Sequence, residues 1–470
     1  MLMIRPSVTN RSRQMSCLMA LLMLWGWEPL QASDHQLSVT PRSPAMRLSL
    51  KEAVAMALEQ DGNARVRLAD QFVRQARAQS ALERGALLPN LDANVTQQNR
   101  TTNLAAVGIQ FDVPIPGFRA PQFVGPFDTF DARVRATQSL LDLSAVRRYQ
   151  ASQTGVNEAQ SLSESVKNEV AGLVAFQYVS ALRAEARLQA AQAAVELAKA
   201  LLDLASDQKR AGTGTGIEVT RAEVQLANER QQLLIAENER RKAHLQLARA
   251  MGLDLQAPLE LSQALSDAPL PVEGLPQRVE MALNSRADFQ AQQKREERLR
   301  LQSSAVKWER LPSVYGFADY GSLGASAANS LPTRTVGVSV TLPLFDGGRR
   351  DARRGDVLAR LEQEKIRTRD LREQIELEVR IAADNLISAE QQVKVAEEGA
   401  RLTAGELTQA ERRYRAGMTT SLEITDAQTR MERARENRIS ALYLFSKAKI
   451  ELGQAIGTIR SMIETGQLGN

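Results

Sequence analysis

The chain has 470 residues and a formal net charge of +5 at neutral pH, from 60 Lys and Arg against 55 Asp and Glu. With one cysteine, no disulfide can form within the chain. The near-balanced charge makes no case for nucleic acid as a partner, and with two histidines there is little material for His- or Cys-based catalysis or metal binding.

Residues 1–32 read as a secretory signal. Arg5, Arg11 and Arg13 form a basic start, Cys17 to Trp27 is apolar, and Leu30-Gln31-Ala32 offers a cleavage site before Ser33. The apolar run is short for a membrane span, and an uncleaved anchor is the alternative. Cys17 opens the run instead of following it, which argues against a lipoprotein anchor.

Repeat 1 is assigned to residues 33–257. After a leading helix, strands are expected over about 89–100 and 128–142. Leu91, Ala93 and Val95 alternate with polar neighbours, as do Phe130, Ala132, Val134 and Ala136, so each strand has one apolar face. The loop between them, around Val113 to Pro126, is rich in Pro, Gly and Phe. No proline falls between 127 and 257, or after Pro343, which permits very long helices there. The first is expected over about 144–211, with a return helix over about 216–252. Residues 258–277, bounded by Pro258 and Pro276, are assigned to a linker or equatorial region.

Repeat 2, residues 278–457, runs in the same order. Its strands are expected over about 311–322 and 334–345, its long helices over about 349–416 and 421–457, and residues 458–470 form a tail. The helical part shows a coiled-coil seam through Leu371, Ile375, Val379, Ala382, Leu386, Ala389, Val393, Ala396, Ala400, Thr403 and Leu407. The duplication itself is explicit. Ala211–Gly252 aligns with Ala416–Gly457 without a gap, from Ala-Gly at the start to Ala-Met-Gly or Ala-Ile-Gly at the end. Two hairpins alone are marginal in water and four strands cannot close a barrel. Several chains pooling strands would resolve this, as a membrane requires; a soluble sheet packed on helices is the other solution.

Several segments together resemble the outer-membrane efflux protein family, the TolC-like channels. They are Arg413-Tyr414-Arg415-Ala416-Gly417, Thr420 to Gln428, Met431, Ala434, Leu452 to Gly457, and Leu342-Pro343-Leu344-Phe345-Asp346-Gly347-Gly348. The resemblance spans both repeats. It implies a mainly α fold with a β-barrel contribution, built from two repeats of helix, β-hairpin, long helix, turn and helix. It further implies a homotrimer with a shared twelve-stranded barrel in outer-membrane lipid and a helical tunnel in the periplasm. The duct would be passive and free of cofactors, receiving substrates from a periplasmic adaptor and an inner-membrane pump. A non-channel periplasmic or surface coiled-coil protein is the competing expectation, and an enzyme lacks the residues it needs.

The resemblance puts adaptor-docking tips at Ala211, Gly212, Thr213 and at Ala416, Gly417, Met418. Gly212 and Gly417 also suit helix C-termini. Thr215 with Glu218, and Thr420 with Glu423, have the spacing of capping boxes. The resemblance assigns a periplasmic gate to Glu218, Arg221, Tyr414, Glu423 and Asp426, with Glu423 and Asp426 in an acidic ring and Tyr414 bracing it. Arg221 stands where the second repeat has Asp426, so an Arg221–Asp426 latch between neighbouring hairpins is expected. His244 is expected to be an ordinary helix residue. Trp308 could be core or an interfacial anchor. The Arg349, Arg350, Arg353 and Arg354 cluster could be solvated or meet lipid headgroups.

Overall fold

The structure is a computed structural model that describes residues 46–59, 62–108, 123–269 and 274–468. The expected signal segment and most of the first hairpin loop lie outside these residues. The described chain opens with β1 (Met46–Leu48), α1 (Leu50–Leu58) and α2 (Ala64–Gly85). A hairpin of β2 (Asn90–Asn103) and β3 (Phe123–Leu141) leads into α3 (Leu143–Arg210) and α4 (Gly216–Met251). The second repeat follows as β4 (Leu259–Leu261), α5 (Leu275–Ser285), α6 (Ala287–Trp308), β5 (Ser313–Gly324) and β6 (Ser330–Thr341). It ends with α7 (Arg349–Arg415), α8 (Ser421–Ile456) and α9 (Ile459–Glu464).

At 68 and 67 residues, α3 and α7 each extend for about 100 Å at about 1.5 Å per residue. Aspartates set both strand-to-helix junctions. Asp142 caps α3 by accepting from the Ala145 N–H at 2.9 Å, and Asp346 accepts from the Arg350 N–H at 3.0 Å. The seam of α7 is buried or half-buried throughout, with Ile375 and Val379 fully enclosed.

The four hairpin strands form one antiparallel sheet in the order β2-β3-β5-β6. Register puts Leu91, Val95, Ala132, Val134, Ala136, Ala318, Val336, Val338 and Val340 on one face. Asp92, Asn94, Thr96, Arg133, Arg135, Asp319 and Thr335 lie on the other. The apolar face is uncovered: Leu91 and Val95 are each 69% exposed and Val336 is 80% exposed.

Four boundaries differ from the sequence expectation. The first hairpin is longer at its far end, with β3 starting at Phe123, so part of the expected loop is strand. Its extra residues pair with β2 beyond a register shift between Arg100 and Thr102. β6 stops at Thr341 and not near 345, because Pro343 has no N–H to offer a ladder. The linker holds β4, which pairs in parallel with β1, and α5 already begins at Leu275. The tail contains α9, whose Ile459 and Ile463 are buried in the main core with Leu48, Val66, Val174 and Tyr178.

In both repeats the return helix is met by the leading helix. Gly252 ends α4 with φ 80°, and an added Cβ there would lie 2.7 Å from the Gly62 carbonyl oxygen. The Asn63 amide donates to the Ala250 carbonyl at 2.8 Å while its oxygen caps α2 through Arg65. Gly457 ends α8 with φ 83°, against the backbone of Arg286. Arg286 bridges Asp288 at 2.7 Å and Glu378 at 2.5 Å. Thus the residues just before α2 meet the end of α4, and the N-cap of α6 meets the end of α8, and the duplicated C-terminal glycines make the close approach possible.

The helices form a wall with α3 inside it. α3 packs against α2 and α4 on one side and against α6 and α8 on the other, and α7 packs against α6 and α8. One polar clamp stands out in this wall: Glu158 of α3, 6% exposed, accepts from Arg295 at 2.9 Å and Arg298 at 2.7 Å, both on α6. The arginine cluster at the start of α7 is partly structural. Arg350 binds Asp346 and the Pro343 carbonyl, and Arg353 pairs with Glu309 at 2.8 Å. Trp308 is half-buried and donates to Ser304 at 3.1 Å. His244 of α4 meets Glu185 of α3 at 3.1 Å, and burial holds its imidazole below the usual histidine range.

Candidate functional site

The two hairpin turns are built alike. α3 and α7 end in a residue followed by glycine at positive φ, 74° at Gly212 and 68° at Gly417. Beyond the glycine, the chain bonds back to the helix: Thr213 N–H to the Gln208 carbonyl at 3.0 Å, Met418 N–H to the Arg413 carbonyl at 2.9 Å. Nothing lies within 4 Å of a Cβ added at either glycine, so the left-handed backbone alone demands it. Gly212→Ala and Gly417→Ala are each expected to cost about 1 kcal/mol, read as a lower thermal midpoint without loss of helix content.

Ala211, Gly212, Thr213, Ala416, Gly417 and Met418 are all exposed. The sequence reading missed two residues beside them. Ile217 and Leu422, at matching positions in the first turns of α4 and α8, are 60% and 66% exposed, and Met418 is also 66% exposed. Each tip therefore presents apolar side chains to its surroundings. The signal for this pair was in the sequence, as an aliphatic residue shared by both copies where the helix start needs none.

The two expected capping boxes part company. At α4 the box closes: Glu218 reaches back and accepts from the Thr215 N–H at 2.9 Å. At α8, Thr420 occupies the cap position, but no box forms. Glu423 is drawn instead to Arg413 at 3.0 Å and to the Thr419 hydroxyl. The matching positions of the first copy are Gln208 and Gly214, which offer neither a cation nor a hydroxyl. A charged donor therefore outcompetes the backbone in one copy only. Arg413→Ala is expected to return Glu423 to the Thr420 N–H with a stability change of less than about 1 kcal/mol, since the pair is exposed. A high-resolution structure of the variant would show which partner Glu423 takes.

Glu218, Arg221 and Tyr414 come together. With Ser421, Thr425 and Gln428 they line a small cleft between the α3–α4 and α7–α8 hairpins. Tyr414 is 4% exposed and packs among Leu407, Ala410, Ile424 and Ala427, while its hydroxyl has no partner. Burial, with the charge of Glu218, pushes its phenol up. Arg221 has no ion pair among the described residues. Asp426 does not join this cleft. It binds Arg430 on its own helix at 2.5 Å, and Arg430 also binds Glu406 of α7 at 2.7 Å. Of the acids expected at a gate, Glu423 is paired with Arg413 and Asp426 with Arg430 within one protomer, whereas Glu218 is held by the Thr215 N–H.

Paired hairpin strands with one bare apolar face are joined in this chain to long helices ending in exposed tips. The profile described as "Outer membrane efflux protein" matches residues 56–253 and 279–458, one segment for each repeat. The chain belongs to the outer membrane efflux protein family. A protein named pyoverdine export outer membrane protein OpmQ, from Pseudomonas putida, is 26% identical over 398 residues, covering 82% of this chain and 81% of its own. Among solved structures, the CmeC outer membrane channel of Campylobacter jejuni superposes with a TM-score of 0.74 at 17% identity, covering 87% of this chain and 85% of its own. The VceC outer membrane protein of Vibrio cholerae gives 0.72 at 17% identity, over 87% and 96%. The protein is an outer-membrane channel of tripartite efflux systems, and its family is one of transport channels. No described helix is long and apolar enough to cross a membrane.

Proposed function

We propose that three copies of this chain close into one duct, with a shared twelve-stranded barrel above a tunnel of long helices. The observation that carries this reading is that sheet and helical wall are open at corresponding edges. The sheet ends in β2 and β6, whose outer edges have no partner among the described residues, and the wall ends in α2 and α4 on one side and α7 on the other. These edges belong to the same parts of the chain, since β2 follows α2 and β6 precedes α7. Unpaired strand edges cannot persist in lipid. The outer side of α7 also carries uncovered Ile366, Leu377, Val395 and Leu402, and α2 and α4 carry uncovered Leu68, Phe72, Val224 and Leu234. A neighbouring copy would cover both sets.

In this arrangement the tips around Gly212 and Gly417 surround the periplasmic mouth. Met418, Leu422 and Ile217 form the apolar contacts for the helical hairpins of a periplasmic adaptor, which couples the duct to an inner-membrane pump. Arg221, without an ion pair among the described residues of its own protomer, is available to Asp426 of a neighbour, where it competes with Arg430. The test is assembly in the outer membrane. Unheated outer-membrane fractions should show a species of three chain masses that collapses to one on heating. A photoreactive residue at Met418 should then cross-link to a co-expressed adaptor. A heat-insensitive monomer in that fraction would overturn the trimer, and cross-linking only from strand positions would overturn the tip assignment.

A further inference from the structure

One cation of the sheet stands on the apolar face. Arg133 and Arg135 lie on the polar face, where Arg133 pairs with Asp131 at 2.5 Å and Arg135 stands opposite Asp319 and Asp92. Arg334 of β6 shares its face with Val336, Val338 and Val340 instead, because side chains two apart on a strand point the same way. It is the one Lys or Arg on that face among the described strand residues. It is exposed and has neither an ion pair nor a side-chain hydrogen bond among the described residues. Register leaves no acid to take it. Its row across the sheet runs through Tyr320, Val134 and Ala93. The one acid on this face among the described strand residues is Asp128, towards the far end of β3, where Asn99 donates to it at 2.7 Å. A neighbouring copy that added its β2 beside β6 would bring only Leu91, Ala93 and Val95 to the same face near Arg334.

The level of Arg334 on the sheet is as informative as its face. Towards the helices, β6 continues with Val336, Val338 and Val340, and Leu342 follows, all exposed. Towards the turn between β5 and β6, the same face of the hairpin carries only Pro332, Ser330, Ser322 and Gly324. The apolar run of this hairpin therefore ends at the row of Arg334. From Leu342 to that row the chain climbs about 20 Å, at about 3.3 Å per residue and a strand tilt of about 40°, which is most of an apolar band about 25 Å tall. Tyr320, directly opposite Arg334 and 67% exposed, stands at the same level. An aromatic ring with a polar tip belongs at a membrane–water boundary. The helical tunnel of the family lies in the periplasm, so this end of the sheet faces the exterior.

We propose that Arg334 and Tyr320 form a binding site for the phosphate of an outer-leaflet lipid, one site on each protomer of the barrel proposed above, on which this inference rests. The guanidinium presents a planar fork of N–H donors that matches two phosphate oxygens at once. The Tyr320 hydroxyl adds a donor beside it. Val336 and Val134, below on the same face, lie where the acyl chains of that lipid would run. Lipid is the source of the phosphate because those valines are covered by acyl chains and by nothing that a free phosphate brings. The depth also fits the charge: an arginine on the lipid face is costly at the midplane and nearly free at headgroup level.

The test counts bound lipid and needs no export activity. The purified oligomer is mixed in detergent with lipid A, or with lipid A stripped of its phosphates, and native mass spectrometry reads the lipid retained. The parent is expected to hold the phosphorylated form about fivefold better. Arg334→Gln should lose that preference, Tyr320→Ala should lower it, and Arg334→Lys, which keeps a charge without the fork, should keep part of it. Arg135→Gln, on the polar face, should leave it intact. Excess inorganic phosphate should not displace the lipid. A parent that holds both lipids equally, or a preference that survives in Arg334→Gln, would overturn the site, and displacement by inorganic phosphate would overturn the lipid as its occupant. The parent's own preference decides the case if a variant fails to assemble. Heating separates this inference from the barrel beneath it. A heat-modifiable oligomer without lipid preference leaves the barrel standing and removes the site, whereas a parent with no such oligomer removes the barrel first and the site with it.

Discussion

Arginine in place of Val338 is expected to cost about 2–4 kcal/mol per protomer in the membrane-inserted state, whereas arginine at Thr335 should cost little. The two positions share one strand but belong to opposite faces of the sheet. Val338 pairs with Gly316 on the face that carries Val336, Val340 and Ala318. Thr335 pairs with Asp319, which in turn lies beside Arg135 and, across β3, Asp92. An added guanidinium on that polar face finds carboxylates and water, while on the apolar face it must be stripped of water among lipid tails. In the proposed trimer, three such charges would share one barrel, so insertion itself should fail. The measurement is the fraction of each variant recovered as heat-modifiable oligomer in outer-membrane fractions. Equal recovery for Val338→Arg and Thr335→Arg would mean that the apolar face does not meet lipid.

Removing both partners of Glu158 is expected to have the largest effect within the helical wall. Arg295→Met with Arg298→Met leaves a buried carboxylate without a counter-charge between α3 and α6, at a cost of about 3–5 kcal/mol. The clamp is asymmetric: Glu158 is buried, while both arginines keep part of their side chains in water. The cost should therefore come from the stranded acid and not from two lost surface pairs, which alone are worth about 0–1 kcal/mol each. Adding Glu158→Leu to the double replacement should recover most of the loss. Thermal unfolding in detergent, followed by circular dichroism, separates the cases. A triple variant no more stable than the double one would show that the arginines matter through their packing and not through Glu158.

Much of this architecture follows from periodicities short enough to read along the chain. The alternation through Val336, Val338 and Val340 assigns a strand and its two faces, because side chains on a strand change sides at every residue. The seam from Leu371 to Leu407 assigns α7 and its buried stripe, because a helix repeats its face every three or four residues. Proline-free stretches set the length of the helices, and the doubled Ala-Gly turn locates both tips. Glycine at Gly212 and Gly417 is a backbone requirement, so it is visible without knowing any neighbour.

The remaining features arise where side chains from distant parts of the chain compete. Thr420 and Glu423 have the spacing of a capping box, yet Arg413 and Thr419 take the carboxylate, and the spacing says nothing about those rivals. Asp426 is visible as the acid opposite Arg221 of the first copy, but its ion pair with Arg430 one turn along the helix is not. β1 with β4, and α9 on the core beside Leu48, depend on segments too short to show a period and stabilised only by what they cover. Glu158 is one acid among many along α3 in the sequence. Its role appears only when α6 lies against α3, because two cations at hydrogen-bond distance and exclusion of water are properties of the packed chain.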